Sequence, residues 1–239
     1  MSEQQAPEGF RANPGRDLAI EIDGVTWLRL PIATHAVQPG SGYEDVFLQY
    51  VTARLQPGDI VIASEKMVGG AQGRVRHVDD IKPGYWARVL TKYISKVPYG
   101  IGVTWPQTMQ LAIEEVGLPR ILFAAFCAAI TKPFGLKGVF YRIAGRKVAA
   151  IDGPADYNLP PFDKYCSLMP DDPDGTSDKI SMLLGGTPVA IVDANDLGQE
   201  VLGVSKGLDA KFVKKCLIGN PLGQGRELTP IGIIRRAEQ

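Results

Sequence analysis

The pattern of apolar and polar positions predicts strands and helices that mix irregularly along the chain. Strands are expected over residues 20–30, with a turn at Asp23-Gly24, and over 59–64 and 189–192. Residues 139–151 are expected to form a hairpin that turns at Gly145. Helices are expected over 42–55, 82–95, 106–117, 177–184 and 210–217. Strands and helices do not alternate as in βαβ units, so a Rossmann sheet is not expected.

Two segments are candidates for a membrane span and for a signal peptide. The most apolar run, residues 121–130, falls short of the roughly 20 residues that a membrane span requires, so a buried or interface helix is expected there. The first residues are polar and lack the apolar stretch of a signal peptide. We therefore expect a disordered tail over residues 1–17. Residues 18–239 are expected to form a single domain, in which two lobes are an alternative.

The overall charge excludes one class of partner. Lys and Arg together number 26, and so do Asp and Glu, so no global field draws the chain to nucleic acid or to an acidic membrane. Any ligand must therefore be held locally. Cys127, Cys166 and Cys216 lie far apart and lack the spacing of metal ligands, which is typical of reduced thiols. These features predict a cytoplasmic protein without a nucleic-acid or membrane partner.

Two aspartates stand where apolar, strand-like runs give way to glycine and polar residues. Asp152 follows the run 148–151, and Asp193 follows the run 188–192. Carboxylates at strand ends suit Mg²⁺ or Mn²⁺, and Asp196 and Asn158 offer further oxygen atoms. The alternative interpretation is that each aspartate caps a turn by accepting from the following backbone amides.

A glycine-containing stretch after the strand over 59–64 suggests a phosphate site. Residues Gly69 to Gly73 offer backbone amides, and Lys66 and Arg74 offer positive charge, as in a phosphate-binding nest. The stretch is not a Walker A loop, and an ordinary turn with solvated cations is the alternative. His35 and His77 lie far apart without zinc-type spacing, so a zinc site is not expected.

Several of these segments together resemble one known family. Residues 55–66 followed by 71–74 resemble the "GDvlvvaqKivskaeGR" signature of the coenzyme F420-0:gamma-glutamyl ligase family. Four later segments follow in the same order and resemble the family's "aGiD", "lpPdDPd", "vgviitDTnGR" and "yGReL" stretches: 150–153, 170–176, 189–195 and 225–228.

The resemblance implies an α+β fold of mixed, largely antiparallel sheets with helices. It also implies a GTP- and metal-dependent ligase that adds glutamate to a carboxylate of a deazaflavin coenzyme precursor through an acyl phosphate, and that works as a homodimer. By position, Asp152 and Asp193 match the family's metal ligands, and Lys66 and Asp193 are the expected catalytic residues. The positions expected to contact the nucleotide are Thr34, His35, Val37, Glu65, Lys66, Arg74 and Asn158.

The chain departs from the family pattern in ways that leave the function open. Gly70 stands where the family has a lysine, Ala194 stands where it has a threonine, and residues 123–135 look like an insertion. The family also continues past "GReL" into an acidic segment that supplies a further metal ligand, for which Asp196 is the candidate substitute here. Two alternatives to the ligase therefore remain, a non-catalytic nucleotide-binding homologue and a nucleotide phosphohydrolase. The acceptor also remains open.

Overall fold

The structure is a computed structural model that describes residues 7–94, 102–154, 162–195, 198–223 and 227–237. The strands in these residues are β1 Ala19–Ile22, β2 Val25–Ile32, β3 Ile60–Ser64, β4 Val75–His77, β5 Tyr165–Ser167, β6 Val189–Asn195, β7 Gly198–Val204 and β8 Ile231–Arg236. The helices are α1 Glu44–Tyr50, α2 Glu65–Ala71, α3 Tyr85–Leu90, α4 Pro106–Val116, α5 Leu118–Thr131, α6 Val139–Ala144, α7 Arg146–Ala149, α8 Pro173–Leu183 and α9 Ala210–Cys216. The chain divides into two compact units, unit 1 formed by Met1–Gly73 with Pro170–Gln239, and unit 2 formed by Arg74–Met169.

Unit 1 contains a mixed sheet. In the described residues its six strands are ordered β1-β2-β8-β3-β6-β7. The β3–β6 pair is parallel, and the other neighbouring pairs are antiparallel. Strands β1 and β2 are joined at Asp23-Gly24, where both residues have a positive φ, as the sequence predicts. The arrangement is α+β with a mixed sheet and is not a Rossmann fold.

Helices cover both faces of this sheet. On one face, Ile62 and Val192 pack in a core with Val213 and Leu217 from the region of α9. On the other face, α8 lies against β6 and β7, and α2 lies against β3 and β6. Helix α8 approaches β7 so closely that a Cβ on Gly203 would lie 2.3 Å from the carbonyl carbon of Pro173. Glycine at position 203 is therefore what allows this helix to pack on the sheet.

Unit 2 is mainly helical. Its core is built from fully buried side chains of α4, α5 and α7, among them Met109, Ile121 and Val148. The two-stranded antiparallel sheet β4–β5 adds Cys166 to the same core. Asp152 extends that small sheet through a bridge to Ser167, in which each residue's N–H donates to the other's carbonyl, at 3.1 and 2.9 Å.

The predicted hairpin over 139–151 is wrong, because this segment forms helices α6 and α7. Phe140, Ala144 and Val148 recur every four residues and are buried together, which is a helical period. Gly145 has a φ of 97° and separates the two helices. Strands β7 and β8 are also absent from the sequence prediction.

The stretch predicted as a tail contributes contacts to unit 1. The Asn13 side-chain amide is buried and donates to the carbonyl of Pro221 at 3.0 Å and to Oγ1 of Thr229 at 2.9 Å. Across the described residues, no helix has both the length and the apolar character of a transmembrane segment.

Candidate functional site

The register of the unit 1 sheet brings the ends of three strands to one edge. One row of neighbouring residues crosses four strands. In it, Ile231 of β8 lies between Ile32 of β2 and Ala63 of β3, and Ala63 in turn lies opposite Ile191 of β6. Strands β2, β3 and β6 run in the same direction across this row, because β8 is antiparallel to both β2 and β3. The segments that follow β2 and β3 therefore leave the sheet at one edge, and Asp193 lies toward the same edge on β6; we call this edge the ligand edge.

The segment after β2 supplies the predicted nucleotide-contacting residues Thr34, His35 and Val37. Thr34 is buried, its N–H donates to the carbonyl of Leu228 at 2.9 Å, and its Oγ1 donates to the carbonyl of His35. The His35 ring is exposed, and its Nδ1 lies 3.1 Å from the hydroxyl of Tyr50. Val37 is buried. The backbone of this segment is thus fixed, while the imidazole remains accessible.

The segment after β3 places the predicted pair Glu65 and Lys66 in the first turn of α2. Ser64 caps the helix by accepting from the N–H of Met67 at 3.3 Å. Glu65 is only 6% exposed, whereas Lys66 is exposed at the surface. A cation and an enclosed carboxylate therefore stand next to each other at the ligand edge.

The prediction that Gly69 to Gly73 form a phosphate-facing turn is wrong. Residues 65–71 are helical, and Gly69 and Gly70 are buried within α2. The carbonyl of Gly70 accepts from the N–H of Gly40, and the carbonyl of Ala71 accepts from the N–H of Gly42, both at 2.9 Å. The glycines at 69 and 70 therefore line a packed helix instead of presenting amides to a ligand.

The segment at the end of β6 carries the predicted Asp193. Asp193 lies opposite Glu200 of β7, and Asn195 lies opposite Gly198, so Asp193, Asn195 and Glu200 share one face of the β6–β7 pair. Asn195 fixes the turn, because its Oδ1 accepts from the N–H of Gly198 at 3.0 Å. A depression of about 320 Å³ lies beside these residues.

The remaining predicted residues lie elsewhere in the chain. Asp152 and Arg74 belong to unit 2, and Asn158 and Asp196 lie outside the described residues. Arg74 donates to the carbonyl of Met169 at 3.1 Å and forms an ion pair with Glu115 at 2.8 Å. Convergence of Asp152 and Asp193 on one metal ion stays a prediction.

Comparison with known proteins connects this edge to one family. The family model described as F420-0:gamma-glutamyl ligase matches residues 31–192. The chain belongs to this ligase family. It is also similar to the coenzyme F420:L-glutamate ligase of Methanopyrus kandleri, with 24% identity over 199 residues, which are 80% of this chain and 69% of that protein. The match to the F420-0:gamma-glutamyl ligase family includes the segments after β2 and β3, and it ends at the residue before Asp193.

Two sequence motifs of this ligase family meet within unit 1. Gln72 donates through Nε2 to Oγ1 of Thr176 at 3.0 Å and accepts at Oε1 from the N–H of Asp171 at 2.8 Å. Asp172 caps α8 by accepting from the N–H of Gly175 at 3.2 Å. Gln72 therefore joins the end of α2 to the start of α8 and helps to fix the backbone behind Lys66.

The donor atoms at the ligand edge are of the type that a hard cation binds. Asp193, Glu200 and Asn195 offer carboxylate and amide oxygens on one face. In the part of the chain that the structure describes, no three His, Cys, Asp or Glu side chains are grouped closely enough to hold a metal ion by themselves. Sequence reasoning missed Glu200, although its position opposite Asp193 follows once residues 189–204 are seen as a hairpin.

Proposed function

We propose that this chain is a nucleotide- and metal-dependent carboxylate–amine ligase that uses GTP to add glutamate to a carboxylate of a deazaflavin coenzyme precursor. The observation that carries the proposal is the family match over residues 31–192, about two thirds of the chain. The fold supports it, because the segments that the family resemblance assigns to the nucleotide, after β2 and after β3, leave the sheet at the same edge as Asp193.

The proposed reaction has two steps. A carboxylate oxygen of the acceptor takes the terminal phosphoryl group of the nucleotide, which gives an acyl phosphate and a nucleoside diphosphate. The neutral amino group of glutamate then attacks the acyl carbon: the new C–N bond forms, the bond from the acyl carbon to the phosphate oxygen breaks, inorganic phosphate leaves, and the nitrogen loses a proton to solvent. In the first step negative charge shifts between phosphate oxygens, and in the second it builds up on the leaving phosphate, so a cation fixed near the phosphates lowers the barrier to each step.

Different residues of the chain would bind the phosphates, the rest of the nucleotide and the metal ion. Exposed Lys66, held in the first turn of α2, would neutralise charge on the phosphates, and Thr34, His35 and Val37 would line the nucleotide. The proposed ligands of Mg²⁺ or Mn²⁺ are Asp193, Asp152 and Asp196, with Glu200 as an additional oxygen donor. When bound, such an ion neutralises the triphosphate.

The test is an incubation of the full chain with GTP, Mg²⁺, glutamate and the deazaflavin precursor, analysed by mass spectrometry. The proposal expects a product heavier by one glutamyl residue, formed together with GDP and phosphate. Release of phosphate without any amide product across a panel of small carboxylates would identify a phosphohydrolase. Absence of nucleotide binding would identify a non-catalytic homologue. An amide product with another carboxylate would retain the ligase and change only the acceptor.

A further inference from the structure

Helix α5 is apolar on both of its long faces. Ile121 and Ala124 are fully buried in the core of unit 2. On the opposite side, Phe123, Phe126 and Ile130 lie within about 60° of one another around the helix axis. These three side chains are 60%, 62% and 50% exposed. A helix that is apolar all round is normally enclosed by protein or lipid, so the exposed face is where an apolar partner is expected.

The apolar surface continues into the turn that follows α5. Phe134 is 78% exposed and Leu136 is 55% exposed, and the exposed Lys132 and Lys137 lie before and after them in the chain. The turn has a defined backbone, because the N–H of Gly135 donates to the carbonyl of Lys132 at 3.1 Å. Arg142 of α6 also donates to the carbonyl of Lys137 at 3.0 Å. A fixed turn therefore carries two large apolar side chains between two cations.

The chain segment that carries this surface has charged residues of one sign only. Residues 116–151 contain no Asp or Glu, although acidic and basic residues are equal in number over the whole chain. The preceding acidic residues, Glu114 and Glu115, form ion pairs with Arg76 at 2.9 Å and with Arg74 at 2.8 Å. The six basic residues of the segment are all exposed: Arg120, Lys132, Lys137, Arg142, Arg146 and Lys147. Although the whole chain has no net charge, this segment is cationic and carries exposed aromatic side chains.

We propose that this region docks on an anionic phospholipid bilayer. The docking surface, which we call the α5 surface, consists of Phe123, Phe126, Ile130, Phe134 and Leu136 with Lys132 and Lys137. The apolar side chains enter the interface between headgroups and acyl chains, and the cations lie at the level of the phosphates. Lysine suits this position because its methylene stem covers apolar surface while its ammonium group stays at the headgroups.

The positive charge of the α5 surface favours an anionic bilayer as its partner over a second copy of this chain. Two copies that met through the α5 surface would bring Lys132 and Lys137 of one copy toward the same two lysines of the other, and residues 116–151 contain no carboxylate to compensate them. A homodimer, which the family resemblance implies, would therefore use another surface. Since no described helix is long and apolar enough to span a bilayer, the contact is peripheral.

The test is co-sedimentation of the full chain with vesicles of phosphatidylcholine alone and of phosphatidylcholine mixed with phosphatidylglycerol. We expect binding to the anionic vesicles only, and weaker binding at high salt. The double variants Phe123→Ser/Phe126→Ser and Lys132→Glu/Lys137→Glu should each weaken that binding by at least about tenfold. Matched controls in unit 1 are Met182→Ser/Ile218→Ser and Lys211→Glu/Lys214→Glu, which change exposed side chains of the same kinds and should alter binding less than about twofold.

A second readout reports insertion without removing apolar side chains. A Phe126→Trp variant should lose fluorescence when the anionic vesicles contain lipids brominated near the headgroup, to a greater extent than the wild-type protein does. Four results would overturn the proposal: no binding to anionic vesicles, equal binding to neutral ones, equal weakening by the control variants, or no added quenching. A lipid-free dimer that Phe123→Ser/Phe126→Ser converts to monomer would assign the surface to a second copy instead.

Discussion

Ser64 and Val192 lie opposite each other on the parallel strands β3 and β6 of unit 1. The next residues along the two strands are Glu65, which begins α2 with Lys66, and Asp193, which faces Glu200. A predicted phosphate-contacting cation therefore lies just past the end of β3, and a predicted metal ligand lies beside it on the adjacent strand β6. This arrangement supports the proposed nucleotide-dependent ligase, in which the cation and the metal would act on the same phosphates.

Replacing Lys66 tests its proposed contribution to catalysis. If its ammonium group stabilises charge on the transferring phosphoryl group, Lys66→Ala should lower kcat about 100-fold, which corresponds to about 2.7 kcal/mol of transition-state stabilisation. Steady-state ligase assays measure the effect. Lys179→Ala, which removes an exposed lysine from α8, is the matched control and should leave kcat unchanged. Equal kcat values for the two variants would remove Lys66 from the chemistry.

The contact between α8 and β7 predicts a large stability difference between two glycines of the same strand. A Cβ at position 203 would lie 2.3 Å from the carbonyl carbon of Pro173, whereas a Cβ at position 198 would meet nothing within 4 Å. Gly203→Ala should therefore lower the free energy of unfolding by about 3 kcal/mol, because the backbone must shift. Gly198→Ala should change it by less than about 0.5 kcal/mol. Urea titrations of both variants measure this, and similar midpoints would contradict the packing described here.

A buried ion pair in unit 1 gives a second stability prediction. Arg235 donates to the Asp59 carboxylate through Nε at 2.8 Å and through a terminal nitrogen at 2.7 Å, and Asp59 is 1% exposed. Arg235→Leu leaves a buried carboxylate without this partner and should lower the free energy of unfolding by about 3 to 5 kcal/mol.

The control for this prediction is the exposed pair formed by Lys215 and Asp23, 3.0 Å apart. Lys215→Leu should cost less than about 1 kcal/mol, because exposed ion pairs contribute little. Thermal denaturation followed by circular dichroism compares the two variants. A loss for Arg235→Leu that is no larger than the loss for Lys215→Leu would show that the buried pair is not important for stability.

The burial of two of the three cysteines predicts which thiols a disulfide reagent can modify. Burial raises the pKa of the Cys166 thiol and of the Cys216 thiol to about 11, which suppresses the reactive thiolate at neutral pH. Cys127 is partly exposed on α5. A disulfide reagent at pH 8 should therefore modify one thiol per native chain, and Cys127→Ser should abolish that reaction. Fast modification of all three thiols in the native protein would contradict the burial of Cys166 and Cys216.

The same pKa shifts have a consequence for stability. In the unfolded chain these thiols ionise near their ordinary pKa of 9, whereas in the folded chain they stay protonated until about pH 11. The unfolded state therefore binds fewer protons between these values, and stability falls as the pH rises from about 9 to about 11. Cys166→Ala/Cys216→Ala should show a flatter decline over this range.

The sequence predicted much of unit 1 because its signals are local. The apolar runs at 59–64 and 189–192 and the turn at Asp23-Gly24 each specify an element without reference to the rest of the chain. Strand β8, Ile231–Arg236, was missed; it pairs with strands more than 160 residues earlier in the chain, a relation that local patterns do not contain. The helix α2 was missed because two adjacent glycines, Gly69 and Gly70, disfavour a helix in isolation. Burial against the sheet stabilises it here.

The candidate site was predictable residue by residue but not as an arrangement. The apolar run before Asp193 and the basic stretch around Lys66 selected these two residues, the family resemblance added Glu65, and the register of β3 with β6 places all three at one edge. Glu200 could not be selected, because its relation to Asp193 depends on the β6–β7 pairing, which periodicity alone does not reveal.

The most direct measurement is calorimetric titration of GTP into the wild-type chain and into Asp193→Asn, each with and without Mg²⁺. Asparagine keeps the size of the aspartate and removes its charge, so the fold should be retained while the metal loses a ligand. The account predicts that Mg²⁺ strengthens GTP binding by at least about tenfold in the wild-type protein and that Asp193→Asn loses this metal-dependent part. Absence of GTP and ATP binding to the wild-type chain, with and without Mg²⁺, would contradict the ligase proposal and favour a non-catalytic homologue.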